Sequence, residues 1–338
     1  MKPWGFPERI WSGRRSRPLA LLAIFVLLAT IVRPAPQPWP WGAGDATLAA
    51  TPVALDDGDP ARRDVGRLHF LAGWQLDSAD QRFGGLSGMH IEAGRVTAIS
   101  DIGIVIRFPL PGVAAAVLPV RFDPLLEGPG PRSRRSSRDS EGLLADRDHL
   151  WISFERRHMV WRYNRFTLRA EAAARPAPMQ RWRGNSGAEA LVRLADGRFL
   201  VLAEGRDDGA PFSDAVLFAG DPARPETPAV RLRYRRPDGF RPTDAALLPD
   251  GRILILNRRF AWLRLSARLV VADPARLAAG GTIEGREVAT LESPLNVDNM
   301  EALAITIENG RTIVWIASDD DFMAIVRRTL LMKFELRE

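Results

Sequence analysis

One phrase recurs along this chain and limits what it can fold into. It runs from an acidic or amide residue through an apolar run, a Gly/Asp turn and a second apolar run to another acid. Copies run from Asp139-Ser140-Glu141 to Glu155, and from Asn185-Ser186-Gly187-Ala188-Glu189 to Glu204. Two more run from Arg241-Pro242-Thr243-Asp244 to Asn257-Arg258, and from Asn299-Met300-Glu301 to Asp319-Asp320-Asp321. A looser copy, from Gly84-Gly85-Leu86-Ser87 to Asp101, opens the series. The spacing is about 50 residues, the range of propeller blades rather than of short helical repeats.

Between the paired runs lie Glu92-Ala93-Gly94, Asp146-Arg147-Asp148, Asp196-Gly197, Asp250-Gly251 and Asn309-Gly310. Asp-Gly and Asn-Gly suit two-residue hairpin turns because they tolerate positive φ. Each phrase therefore predicts a hairpin, with third strands at Val160–Tyr163, Ala215–Phe218, Leu269–Ala272 and Leu330–Leu336. The run Leu68–Leu76 has no hairpin of its own. It either pairs with the C-terminal strand to close a ring or begins a further blade. The fold expected is all-β, a single β-propeller of five or six blades over residues 65–338. A β-sandwich would leave the long repeat unexplained. Residues 124–138 and 170–179 are expected as helical or coil insertions between blades.

With no cysteine in the chain, disulfides and thiolate metal sites are excluded. Any metal must take oxygen ligands or one of four histidines. His69, His90, His149 and His158 show no metal-binding spacing. The net charge of +6 comes from arginine, since Lys2 and Lys333 are the only lysines. The arginines are spread out, without the aromatic-basic platform that single strands need, so nucleic acid is not an expected partner. The densest cluster, Arg132 to Arg138, reads as a solvated loop or a steering patch for anions.

Residues 1–33 read as a signal peptide or membrane anchor: Arg14, Arg15 and Arg17 precede an apolar run from Pro18 to Val32. No clear cleavage site follows, so an uncleaved anchor is the other reading. Either version predicts a periplasmic or secreted protein, in the anchored case held on the inner membrane. Membrane contact is expected only through that segment. Residues 34–64 read as a Pro/Gly-rich tether, and the folded part is expected to be a monomer.

In an antiparallel hairpin the residue that begins the first strand lies beside the residue that ends the second. Ser87 and Asp101 centre on Gly94, Glu141 and Glu155 on Asp148, and Glu189 and Glu204 on Asp196-Gly197. Asp244 and Asn257 centre on Asp250-Gly251, and Glu301 and Asp319 on Gly310. Every centre falls in or beside a predicted turn, so all five pairs should share one rim. With each first strand innermost, Glu141, Glu189, Asp244 and Glu301 would ring the mouth of a central channel. So many carboxylates need compensation by a divalent cation, by arginine or by protonation. Hard oxygen ligands suit Ca²⁺ or Mg²⁺. The alternative is that each acid caps a strand or pairs with a neighbouring arginine. Gly85-Leu86-Ser87-Gly88 does not complete a G-x-S-x-G nucleophile elbow.

Taken together, these phrases resemble the esterase-like, phytase-like family over roughly residues 67 to 338. The resemblance rests on Phe83-Gly84-Gly85-Leu86-Ser87-Gly88, Ser100-Asp101-Ile102-Gly103 and Asp139-Ser140-Glu141-Gly142-Leu143. Asn185–Glu189, Arg241–Asp244 with Leu248–Gly251, and Asn299–Glu301 with Ser318–Phe322 complete it. Ala302 and Asp321 depart from the residues expected there, and Asn257 stands where glutamate is common. The resemblance implies a β-propeller that hydrolyses a phosphoester or related ester.

In that reading a metal, Ca²⁺ or Mg²⁺, is held by Glu141, Glu189, Asp244 and Glu301, with Asp101, Glu155, Glu204 and Asp319 nearby. Arg156, Arg206 and Arg258 would bind a small anionic ester. No catalytic residue is singled out. The alternatives are a non-catalytic binding propeller stiffened by a cation, and a single-metal lactonase-like enzyme.

Overall fold

The computed structural model describes residues 42–337 except 132–136, 183–186, 206–209, 262–263 and 323–326. The predicted signal or anchor segment, most of the Arg132–Arg138 cluster, Asn185 and Arg206 therefore lie outside the described residues. A short 3₁₀ turn spans Pro274–Arg276, and among the described residues no helix is long and apolar enough to cross a membrane.

Strands β1 (Gly44–Pro52), β2 (Asp64–Val65) and β3 (Leu68–Asp77) precede five hairpin units. The first unit is β4 (Leu86–Glu92), β5 (Arg95–Ser100), β6 (Ile104–Pro109) and β7 (Ala116–Pro124). The second is β8 (Ser140–Ala145), β9 (His149–Phe154), β10 (Met159–Asn164) and β11 (Ala170–Ala174). The third is β12 (Ala188–Arg193), β13 (Phe199–Ala203), β14 (Phe212–Phe218) and β15 (Ala229–Arg235). The fourth is β16 (Arg241–Leu247), β17 (Ile253–Ala261) and β18 (Arg264–Ala272); β19 (Thr282–Ile283) then pairs with β15, and β20 (Gly285–Leu291) completes it. The fifth is β21 (Asn299–Glu308), β22 (Arg311–Asp319) and β23 (Thr329–Leu336), with β3 as its fourth strand.

Each unit is an antiparallel meander, and the first strands β4, β8, β12, β16 and β21 touch in sequence and close on one another. This is a propeller-like, all-β arrangement. Apolar layers fill the spaces between successive sheets. Leu143, Ile152 and Tyr163 pack with Ile99 and Val105 between units one and two, and Leu202, Tyr234, Ile255 and Val270 between units three and four. Layers on both faces explain why β13 is buried throughout and reads as an apolar run rather than an alternation.

Three local expectations change. Residues 44–52 are not a tether: β1 lies between β3 and β7, paired with both, and joins the first and fifth units into one ten-stranded sheet. Its alternation, with Leu48 and Ala50 buried, is that of a strand with one covered face. Replacing Leu48 with Ala is therefore expected to cost about 3 kcal/mol in a urea titration; a tether residue would cost nothing. Residues 170–174 are strand β11, not an insertion.

The turns are also of two kinds. Ala93-Gly94 and Asn309-Gly310 have positive φ at both residues, as two-residue turns need. Asp196-Gly197 and Asp250-Gly251 sit in longer loops where only the glycine is positive, closed by Leu194 N–H to Arg198 O and Leu248 N–H to Arg252 O. The Leu68 run takes the closing alternative, pairing with β23 from Leu68↔Leu336 to Leu76↔Thr329.

Candidate functional site

The end of each hairpin opposite its turn carries an irregularity at the same place. The β4–β5 register shifts between Leu86 and Gly88, β8–β9 between Ser140 and Leu143, and β12–β13 between Ala188 and Ala190. The β16–β17 and β21–β22 registers shift between Pro242 and Asp244 and between Met300 and Ala302. A bulge leaves a residue out of the ladder and re-aims its side chain. The residues so placed are Ser87, Glu141 together with Gly142, Glu189, Thr243 and Glu301. Asp101, Glu155 and Glu204 directly follow the second strands, and Asp319 ends one.

Seven of the eight predicted ligands line one cavity of about 490 Å³: Asp101, Glu141, Glu155, Glu189, Glu204, Glu301 and Asp319. Asp139 and Asp321 join them, giving nine carboxylates against two guanidinium groups, Arg156 and Arg258. Both extra acids stand inside the repeated phrase, and Asp139 opens its own copy two residues before Glu141. That position was the available signal.

Asp244 does not line this cavity. The bulge in β16 falls on Thr243, which puts Asp244 one residue further on, where the other units have Gly88, Gly142, Ala190 and Ala302. Those residues are small because the next inner strand is close: a Cβ on Gly88 would lie 2.7 Å from Leu143 N. Asp244 uses the closeness instead. Its Oδ2 accepts the Leu303 N–H at 2.7 Å and its Oδ1 accepts the Ala245 N–H at 2.8 Å. Asp244→Ala should therefore cost about 2 kcal/mol of stability by leaving Leu303 N–H unsatisfied. Any cation binding at the acidic cavity, followed by calorimetry, should be unchanged.

Asn257 is likewise turned from the cavity. It is fully buried, accepts from Tyr234 Oη at 2.9 Å and donates to the carbonyls of Ile255 and Arg268, both at 3.2 Å. The cavity position in unit four passes to Arg258. Its Nη2 donates to Glu204 Oε1 at 3.2 Å, while Nη1 donates to Asn299 Oδ1 at 2.8 Å and also to Glu301. Asn299 Nδ2 holds the same Glu301 oxygen at 2.7 Å, and Arg241 reaches Glu204 at 3.2 Å. Arg156 donates to Asp139 from the rim.

The first and fifth units meet through Gly84 and Gly85. Gly85 N–H donates to Asp320 Oδ1 at 3.1 Å, and a Cβ on Gly85 would lie 2.5 Å from Asp101 Oδ1 and from Phe322. With φ at +62°, that position accepts only glycine without strain. Asp319 Oδ1 accepts the Asp321 N–H at 2.7 Å, fixing the acidic triplet against this closure.

The charge at this site is under-compensated. Burial first, and then neighbouring acids, hold Glu141 and Glu189 well above the usual carboxylate range. Asp319 is raised in the same way, by burial and then by Glu301 and Asp321. Glu301 is raised by burial, with Arg258 opposing. Burial and then Asp139 push Glu155 up to about 7, against the Gly187 N–H. Burial alone would weaken the Arg258 cation, but Glu301, Glu204 and Glu189 outweigh it and hold the guanidinium charged.

Arg258 and Arg241 compensate Glu204 and Glu301, and Arg156 compensates Asp139 at the rim. Glu189 is 6 % exposed and its carboxylate takes part in no hydrogen bond among the described residues. Oxygens of Asp139, Glu141 and Glu155 lie within 4.8 Å of one another, as do those of Glu155, Glu189 and Glu204. Calcium takes oxygen ligands at about 2.4 Å, so opposed ligands stand about 4.8 Å apart. The donor set and spacing fit a hard cation, with Glu155 common to both groups.

Residues 81–322 match the phytase-like family, described as esterase-like activity of phytase. The chain belongs to that family. Among curated proteins none matches the sequence. Solved structures of similar fold include Myxococcus xanthus glutaminyl cyclase, at 14% identity and TM-score 0.45, covering 81% of this chain and 100% of that one. The Malassezia sympodialis allergen Mala s 1 aligns at 10% identity and TM-score 0.44, covering 81% and 91%. Regucalcin from Agrobacterium tumefaciens, a calcium-binding protein, aligns at 10% and 0.38, covering 76% and 93%. Likenesses this remote bear on neither substrate nor metal.

Proposed function

We propose that this phytase-like protein is an exported, cation-dependent hydrolase of a small anionic phosphoester or related ester, built on a five-bladed propeller. The observation that carries the reading is the group Glu141, Glu155, Glu189 and Glu204, of which, among the described residues, only Glu204 is ion-paired to arginine. With Asp139 they would hold Ca²⁺, or Mg²⁺ in its place. The cation would neutralise the carboxylates and polarise an ester oxygen. Arg258 fixes Glu204 and Glu301 at the other side of the cavity, and Asn299 orients Glu301.

Export is inferred from the basic residues and apolar run of residues 14–32. The reading takes a small ester as substrate of a monomeric protein and expects no nucleic-acid partner, since carboxylates repel phosphates.

Purified protein incubated with p-nitrophenyl phosphate and p-nitrophenyl acetate, with Ca²⁺ or with chelator, tests the reading. Turnover that requires Ca²⁺ and is lost on chelation is expected. A large chelator-induced fall in melting temperature without turnover on either ester would favour a binding propeller stiffened by the cation. Turnover confined to lactones, with one ion bound by calorimetry, would favour a lactonase-like enzyme.

A further inference from the structure

A second cavity of about 790 Å³ adjoins the acidic one and shares Glu204, Arg258 and Asp321 with it. Its charge is opposite: five arginines line it against three acids. We propose that this cavity binds an organic oxyanion joined to an apolar body. The assignment of that anion as part of the substrate rests on the hydrolase reading above.

The cavity owes its wall to one unusually long hairpin. In unit three the second strand stops at Ala203, but β17 continues past Asn257 and stays paired with β18 from Arg258↔Ala267 to Ala261↔Arg264. This extension carries Arg259 and Phe260 beyond the rim. Opposite stands the turn Pro237–Phe240, closed by Phe240 N–H to Pro237 O. The Phe240 ring is covered by Arg259 at 4.6 Å and Arg268 at 4.5 Å, so the Arg259 guanidinium is held by stacking.

Arg259 is ion-paired to Glu292 at 3.3 Å, and that carboxylate is 56 % exposed. Such a solvated pair is worth little, and a ligand oxyanion can compete for it. Arg236 enters the same wall, tied to the Ala210 carbonyl. Phe260 is 62 % exposed beside these cations, with Leu265 and Pro211 also on the lining. A cavity of this volume with convergent donors and an uncovered aromatic ring suits a small organic anion. An acidic cavity alone would repel an anionic ester; the basic neighbour supplies the attraction and sets the ligand's direction.

Calorimetry on the chelated full-length protein tests this with benzoate, phenyl phosphate, inorganic phosphate and benzyl alcohol. Benzoate or phenyl phosphate should bind, the tighter of the two naming the oxyanion. Inorganic phosphate should bind about tenfold more weakly and benzyl alcohol should show no heat. Arg259→Gln should weaken both organic anions about tenfold. Phe260→Ser should weaken them while leaving inorganic phosphate unchanged. Both side chains are on the surface, and unchanged melting temperatures would show that the variants fold. Glu189→Gln should leave this binding intact. Absence of anion binding, or binding unaffected by either variant, overturns the inference even if Ca²⁺-dependent turnover is found. Binding with the expected variant pattern supports it even if no ester is hydrolysed.

Discussion

In the presence of chelator, the melting temperature of this protein is expected to fall as the pH rises from 5 to 8, and saturating Ca²⁺ should restore most of the loss. The reason is the direction of the shifts in the acidic cavity. Glu155 is raised from 4.5 to about 7, so the folded state holds its proton more tightly than the unfolded chain does. That stabilisation is complete below pH 4.5 and disappears as the pH passes through 7. A shift of this size corresponds to roughly 3 kcal/mol. Glu141, Glu189 and Asp319 are shifted in the same direction and add to it.

The opposing groups are identifiable. Asp80, Asp196 and Asp250 are lowered by their arginine or backbone partners, and their stabilisation is already in place by pH 5. His90 and His158 are lowered by burial, so they favour the folded state as the pH rises through 6.5. Glu155→Gln separates the contributions, because it should flatten the fall without touching the histidines. Calcium at a hundred times its dissociation constant contributes about 2.7 kcal/mol. Scanning calorimetry across this pH range decides the matter: a chelated midpoint that is constant or rises would contradict the assigned electrostatics.

The second large effect is expected from Glu189→Gln. The amide keeps the shape of the side chain but removes a charge buried among Glu155, Glu204 and Glu141. In chelator at pH 8 this variant should be more stable than the parent by about 1–3 kcal/mol, because a desolvated carboxylate among like charges is gone. The same variant should lose the Ca²⁺-induced rise in melting temperature and at least about 100-fold in ester turnover. A gain in metal-free stability paired with a loss of function separates a cation site from a structural ion-pair network. If Glu189 were a structural partner, the substitution would destabilise the protein in both conditions.

Much of this site was legible because it is built from local pairings. The acids of a hairpin are a fixed number of residues from their turn, so Glu141 with Glu155 and Glu189 with Glu204 could be paired on paper. The same reasoning failed at Asp244, where the phrase Pro242-Thr243-Asp244 places the bulge one residue earlier than the acid. In a strand one residue exchanges one face for the other, and Asp244 went to the neighbouring strand's Leu303 N–H instead of the cavity. Asp139 and Asp321 were visible in the repeat but had no strand partner to mark them.

Repetition and turn chemistry by themselves determined the hairpins and the rim on which the acids gather, while the packing of first strand on first strand came from the structure. They act within about 20 residues of chain, where alternation and positive φ leave few choices. Tertiary structure alone decided three other matters: that β1 joins the first and last units, that Arg258 neutralises Glu204 and Glu301, and that an arginine-lined cavity opens beside the acids. Arg258 meets its two acids across 54 and 43 residues of sequence, and β1 meets β7 across about 70. Contacts at that separation depend on how whole sheets pack and where each ladder ends, which no local pattern encodes.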